Sequence, residues 1–152
     1  MNADYMNTLL QELGTRMGIT SLVFDDERLC HLVIDNTFPL TLHYDFACAR
    51  ITLVGKLADS LPGPASKRWM EQVLAAALNP ISGEAPGVGW RQDMGLIAYQ
   101  QLAVPNLTAS LLEATMADFV AWLTTFSIQL AETASSVPAV SVNPMRYEYD
   151  RV

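Results

Sequence analysis

Charge is scarce in this sequence, and positive charge scarcer still. Charged side chains make up 16% of the 152 residues, with nine Lys and Arg against sixteen Asp and Glu for a formal charge of −7. The few basic residues are scattered and form no stripe, which argues against nucleic acid and against anionic membrane as partners. Cysteine is limited to Cys30 and Cys48, with no CxxC pair. That excludes a disulfide framework and points to a reducing, cytoplasmic setting. The opening Met1-Asn2-Ala3-Asp4 has no basic start leading into an apolar run. No stretch reaches the roughly 18 consecutive apolar residues that span a bilayer, so a soluble chain is expected. There is no G-x-S-x-G elbow for a nucleophile. Gly83, Gly87 and Gly89 follow a helix and precede a strand without a Lys-Ser or Lys-Thr, the reverse of a phosphate-cradling loop. No internal repeat is present, which removes solenoids.

Apolar side chains are abundant, at 51%. A chain of this length buries one continuous core, and the composition leaves apolar surface over. In residues 4–17, Met6, Leu9, Leu10, Leu13 and Met17 recur at helical spacing, with Gly18 placed to end the helix. Short apolar runs follow: Leu22-Val23-Phe24, the acidic turn Asp25-Asp26-Glu27-Arg28, Leu29 to Ile34, Leu40 to Phe46, and Ile51 to Val54. They read as an antiparallel meander of three or four strands. Ser66 is placed to cap a helix over 67–78 bearing Trp69, Met70, Val73 and Leu74, which Asn79-Pro80 is expected to stop. Val88–Gln92 and Leu96–Leu102 make a second hairpin around Asp93-Met94-Gly95. Asn106 is placed to cap a final helix from Leu107 to about Ser135, with Leu112, Met116, Phe119, Leu123, Phe126 and Leu130 on one stripe.

The expected fold is therefore α+β, an antiparallel sheet of about five strands with three helices in the order α-β-β-β-α-β-β-α. Residues 1–135 form the domain, and 136–152, with two prolines and no helical period, a mobile tail.

Cys30, His31, His43 and Cys48 are metal-ligand types. Neighbours on a strand point to opposite faces, however, so Cys30 and His31 cannot share an ion on a regular strand. Cys30 keeps step with Leu32 and Ile34 and reads as core, whereas His43 keeps step with Thr41 and Asp45. Asp25, Asp26 and Glu27 occupy a turn, where solvated carboxylates are ordinary. No metal, no cofactor and no catalytic residue is expected.

The informative feature is the surplus of apolar surface. Leu22-Val23-Phe24 and Leu32-Val33-Ile34 are apolar on both strand faces, so a second layer must cover them. The helix bearing Trp69, Met70, Val73 and Leu74 fits an isologous self-contact. The first hairpin would offer backbone for strand addition.

The order of elements, the opening Met6-Asn7-Thr8-Leu9-Leu10-Gln11-Glu12-Leu13-Gly14 helix, the Leu29–Ile34 strand after an acidic turn, and the helix over 107–135 together resemble the class I chaperones of bacterial type III secretion, the CesT/SycE-like group. The resemblance covers about residues 4–135. It implies a cytoplasmic homodimer that holds the N-terminal segment of a cognate effector non-globular for export, with the secretion ATPase as a further partner. It places effector side chains on Leu9, Leu13, Met17, Leu22, Phe24 and Leu32, and the dimer contact on Trp69, Met70, Val73, Leu74 and Trp90. The competing expectation is a small-ligand-binding α+β sandwich without catalytic activity, its apolar strands lining a closed pocket.

Overall fold

The computed structural model of the chain describes residues 3–63, 66–83 and 85–136, the side chains of residues 3, 4, 135 and 136 excepted. The expected tail at 136–152 lies outside the described residues but for Ser136, the last of the final helix. The first helix, α1 (Ala3–Met17), turns Met6, Leu9, Leu10 and Leu13 into the core. Its end is a Schellman arrangement: Gly18 takes φ 72°, and the Ile19 N–H donates to the Gly14 carbonyl at 2.8 Å. Only a glycine adopts this left-handed position without strain.

Five strands follow, β1 (Leu29–Ile34), β2 (Phe38–Asp45), β3 (Arg50–Ala58), β4 (Gly87–Arg91) and β5 (Gly95–Ala103). They form one antiparallel sheet in the order β1-β2-β3-β5-β4, so β1 and β4 are its edges. Leu22-Val23-Phe24, expected as a strand, joins no ladder. It is tied only at its far end, where Asp25 N–H reaches the Leu29 carbonyl at 2.9 Å. Three apolar residues give the pattern of a strand, but pairing needs a neighbour in register, and the turn at Asp25 to Arg28 already closes on Leu29.

Between β3 and β4 lie α2 (Lys67–Ala76) and the single-turn α3 (Asn79–Ser82). Ser66 caps α2 as expected, its Oγ accepting the Trp69 N–H at 3.0 Å, a contact worth about 1 kcal/mol. α2 ends at Ala76, just ahead of Asn79-Pro80 as expected, and Asn79-Pro80 then opens the separate turn α3, because proline at the first turn of a helix forfeits no hydrogen bond. The last helix, α4 (Ala109–Ser136), is capped by Thr108, whose Oγ1 accepts the Leu111 N–H at 3.1 Å. Asn106, the expected cap, instead holds φ 67° in the preceding turn, a conformation asparagine tolerates.

The helices cover one face of the sheet. Leu40, Leu42, Ile51, Leu53, Leu96 and Ala98 point into them and meet Leu112, Met116, Phe119 and Leu123 of α4 in a single core. The stretch Ala109–Ala134 is long and apolar enough to cross a membrane by length and composition. In this fold its stripe from Leu112 to Leu130 is buried over the sheet. Arg16 Nε lies 2.8 Å from Glu113 Oε1, joining the end of α1 to the start of α4. At the other end of α4, Thr133 Oγ1 donates to Gln72 Oε1 of α2 at 2.8 Å.

Candidate functional site

The face of the sheet turned away from the helices is set by the strand register. Successive cross-strand rows read Val33, Pro39, Lys56, Ile97; then His31, Thr41, Val54, Tyr99; then Leu29, His43, Thr52, Gln101. The first rows are largely apolar and the last is polar. A shallow groove of about 520 Å³ runs over the apolar half, floored by Val33, Thr41, Val54 and Ile97 and walled by Met94. His31 Nδ1 lies 2.9 Å from Thr41 Oγ1 on this face. A second groove, about 540 Å³, separates the end of α1 from the β1–β2 turn and α4; Met17, Ile19, Val33, Ile34 and Met116 line it together with the polar Asp35, Asn36 and Glu113.

Both grooves border β1. This strand, Leu29-Cys30-His31-Leu32-Val33-Ile34, pairs with β2 alone and carries no Asp, Glu, Lys or Arg. Natural sheets blunt their edges with charge, proline or a bulge. β1 has none of these along its length, and Val33 is 49% exposed on it. At the end of the strand, Phe24, Tyr44 and Phe46 make an aromatic row with centroid separations of 5.6 and 5.9 Å, and the Arg28 guanidinium stands 4.8 Å over Phe46.

The side chains expected to take effector residues are placed unevenly. Leu9, Leu13, Leu22 and Leu32 are buried in this chain's own core, where they join α1 to the sheet. Met17 and Phe24 are half-buried, Met17 in the groove beside β1 and Phe24 in the aromatic row. The four leucines therefore support the groove walls from behind and present no free surface. The exposed apolar residues near β1 are Val23, Val33 and Phe46. Phe46 and Val33 lie in the runs read as strands, but a period-two pattern cannot say which face stays open.

The residues expected at a dimer contact also divide. Trp69 and Val73 are buried against the core and Met70 packs partly against it, whereas Leu74 is 61% and Trp90 48% exposed. Leu78 and Ile81, not anticipated from the sequence, are exposed as well, Ile81 to 83%. They continue past the end of α2 into α3, on the side of the molecule where α2 approaches β4. The signal available in the sequence was a run of apolar residues falling off the helical stripe.

Burial pushes the Cys30 thiol above its ordinary range, with the Asp25 charge adding to the effect. Cys48 is exposed in the β2–β3 turn, where its N–H donates to Asp45 Oδ1 at 3.0 Å. That hydrogen bond holds the Asp45 carboxyl below the usual carboxylate range. Among the described residues, no three His, Cys, Asp or Glu side chains converge to hold a metal. The grooves are open surface features, and the inner face of the sheet is filled by the chain's own helices. A free, uncharged edge strand with an open groove on either side suits a polypeptide better than an enclosed small molecule.

The model of the Tir chaperone protein (CesT) family matches residues 8–127, and the chain belongs to that family. Its work is binding as a chaperone, not catalysis. A chain in the HopA1–SchA chaperone–effector complex is 35% identical, with a TM-score of 0.69 over 81% of this chain and 93% of that one. A chain in the ExsC–ExsE complex is 22% identical, with a TM-score of 0.70 over 84% and 95%. A third, from the structure of the Yersinia pestis type III secretion chaperone SycH with a stable fragment of YscM2, is 16% identical, with a TM-score of 0.60 over 78% and 97%. These last two likenesses speak for the fold. A search of curated protein sequences gave no match.

Proposed function

We propose that this chain is a type III secretion chaperone that holds the N-terminal segment of one effector as an extended polypeptide along β1. The observation that carries this reading is the uncharged free edge of β1 with a groove on each side, the one over the open sheet face largely apolar and the one beside α1 mixed. A disordered segment loses chain entropy when it binds. Strand hydrogen bonds to β1, together with side chains seated in the two grooves, offset that loss, and the bound part stays non-globular for export. Of the effector contacts expected from the sequence, Met17 and Phe24 would touch the client directly, and Leu9, Leu13, Leu22 and Leu32 would shape the surface from beneath. The working unit is residues 1–135.

The same reading makes the chain a cytoplasmic homodimer joined on the opposite side of the sheet. Leu74, Leu78, Ile81 and Trp90 form its apolar centre, with Met70 at the margin and Trp69 and Val73 backing the surface. An isologous contact hides this patch without recruiting another protein. The loaded dimer would be handed on to the secretion ATPase.

Co-expression with the polypeptide encoded by the adjacent reading frame tests the proposal. The wild-type chain is expected to yield a stable complex by light scattering, and Val33→Lys is expected to lose it while retaining its own unfolding midpoint, since a charge on an exposed edge opposes strand addition. Undiminished capture by Val33→Lys rules out β1 as the site.

A further inference from the structure

Tyr44 stands on the helix-facing side of β2, in step with Leu40 and Leu42, and is only 4% exposed. Its phenolic oxygen is enclosed and has no hydrogen-bond partner among the described residues. A buried O–H that has left water and found no acceptor destabilises the folded chain, and phenylalanine would fill the same space without that penalty. Among the described residues no side chain of polar or charged type is buried, so this hydroxyl is chemically out of place there.

Its surroundings supply a route. Phe24 covers one side of the ring and belongs to the stretch at residues 19–24 that joins neither helix nor ladder, with Ser21 at φ 63°. Phe46, half-exposed, meets the same ring edge to face, with the two planes at 89°. The Tyr44 N–H donates to the Arg28 carbonyl at 3.0 Å, so the β1–β2 ladder runs on as far as Tyr44. A polypeptide lying along β1 therefore leaves the strand beside these rings. Segments held by few hydrogen bonds are the ones that open locally, and Phe24 is held by packing alone.

We infer that Tyr44 is a client-recognition residue: a bound polypeptide displaces Phe24, seats an apolar side chain beside Phe46 in the place Phe24 leaves, and gives a backbone carbonyl to the Tyr44 hydroxyl. This rests on the chaperone reading above and deepens it, since a backbone acceptor is present in every client sequence. Arg28, held over Phe46, keeps that ring oriented at the entrance.

The test compares wild type with Tyr44→Phe, using the N-terminal half of the polypeptide encoded by the adjacent reading frame as probe in titration calorimetry. Tyr44→Phe is expected to bind roughly three- to ten-fold more weakly, the loss of one neutral hydrogen bond. Free Tyr44→Phe is expected to unfold at the same temperature as wild type or higher. Equal affinity of the two proteins overturns the inference and leaves the chaperone reading standing. A lower unfolding midpoint for free Tyr44→Phe also overturns it, because the hydroxyl would then be satisfied already by a buried water. Failure of the wild-type chain to bind the probe at all overturns the chaperone reading itself. Phe46→Ala, at a half-exposed position, is expected to weaken capture without lowering the midpoint, and unchanged capture by it removes the proposed entrance.

Discussion

Gly55 lies directly beneath Leu123: a Cβ built on Gly55 would stand 2.6 Å from Leu123 Cδ1, with Phe119 Cε2 at 3.2 Å and Leu40 Cδ2 at 3.3 Å. The close approach of α4 to β3 thus depends on the absence of a single methyl group. Gly55→Ala is expected to cost about 1–3 kcal/mol by overpacking, read as a fall of roughly 2–12 °C in the thermal midpoint for a chain of this size. Gly89→Ala, where the added methyl meets nothing within 4 Å, serves as the control. It is expected to leave the midpoint unchanged or raise it slightly, through the smaller entropy of its unfolded chain.

The apolar patch on the α2 side predicts a change of mass without a change of fold. Leu74→Glu combined with Ile81→Glu places two carboxylates on exposed positions that make no core contact, so the circular dichroism spectrum is expected to stay as it is. Light scattering is expected to report a dimer for the wild type and a monomer for the double variant. A dimeric mass for both would exclude this face as the contact.

The two thiols are expected to react at very different rates. Cys48 is exposed and Cys30 buried with its thiol pushed upward, and only the thiolate attacks a disulfide reagent. One equivalent of thiol is expected to react quickly at neutral pH, and the second only on unfolding. Cys48→Ser should abolish the quick phase, and a quick phase persisting in that variant would contradict the burial of Cys30.

Acid should weaken the fold through surface turns. Asp45 and Asp93 both have carboxyls held below their usual range, Asp45 chiefly by the Cys48 N–H and Asp93 chiefly by the Arg91 side chain, which lies 2.6 Å away at its Nε. A carboxylate whose folded value lies below its unfolded value of about 3.9 contributes stability above that pH, and the contribution drains away as pH falls through the folded value. Asp93 is exposed and Asp45 lies at the surface, partly covered, so the effect is small. Asp45→Asn is expected to flatten the decline of the unfolding midpoint between about pH 5 and pH 2 relative to wild type. An unaltered profile would mean that the Cys48 hydrogen bond does not persist in solution.

The order of helices and strands was legible because its signals are local. Leu112, Met116, Phe119 and Leu123 repeat at helical spacing, Ser66 caps in place, and Gly18 ends α1 as expected. What local pattern could not resolve was ownership of an apolar face. Leu9 and Leu13 lie on the stripe by which α1 packs on its own sheet, and the same spacing would serve a stripe offered to a partner. Leu32 and Val33 are adjacent and equally apolar, yet one is buried and the other half-exposed, because only the position of α1 decides which side of β1 is covered. Leu78 and Ile81 escaped notice for a related reason: Asn79-Pro80 read as a break, and apolar residues at a break have no period to assign them to a surface. Tyr44 was read simply as one more apolar strand residue, since a sequence does not show whether a hydroxyl finds an acceptor.

The strand order places β1 and β4 at opposite margins, separated by four inter-strand steps, about 19 Å at the usual spacing. Joining two copies through the β4 margins would leave a pair of β1 margins facing outward, one at each end of the assembly. A single exported chain long enough to reach both would bind the second as an intramolecular event, at an effective concentration set by the stretch between its two anchor points. The reach of that intervening stretch, beyond the chemistry of either anchor, would then govern how long cargo remains in place.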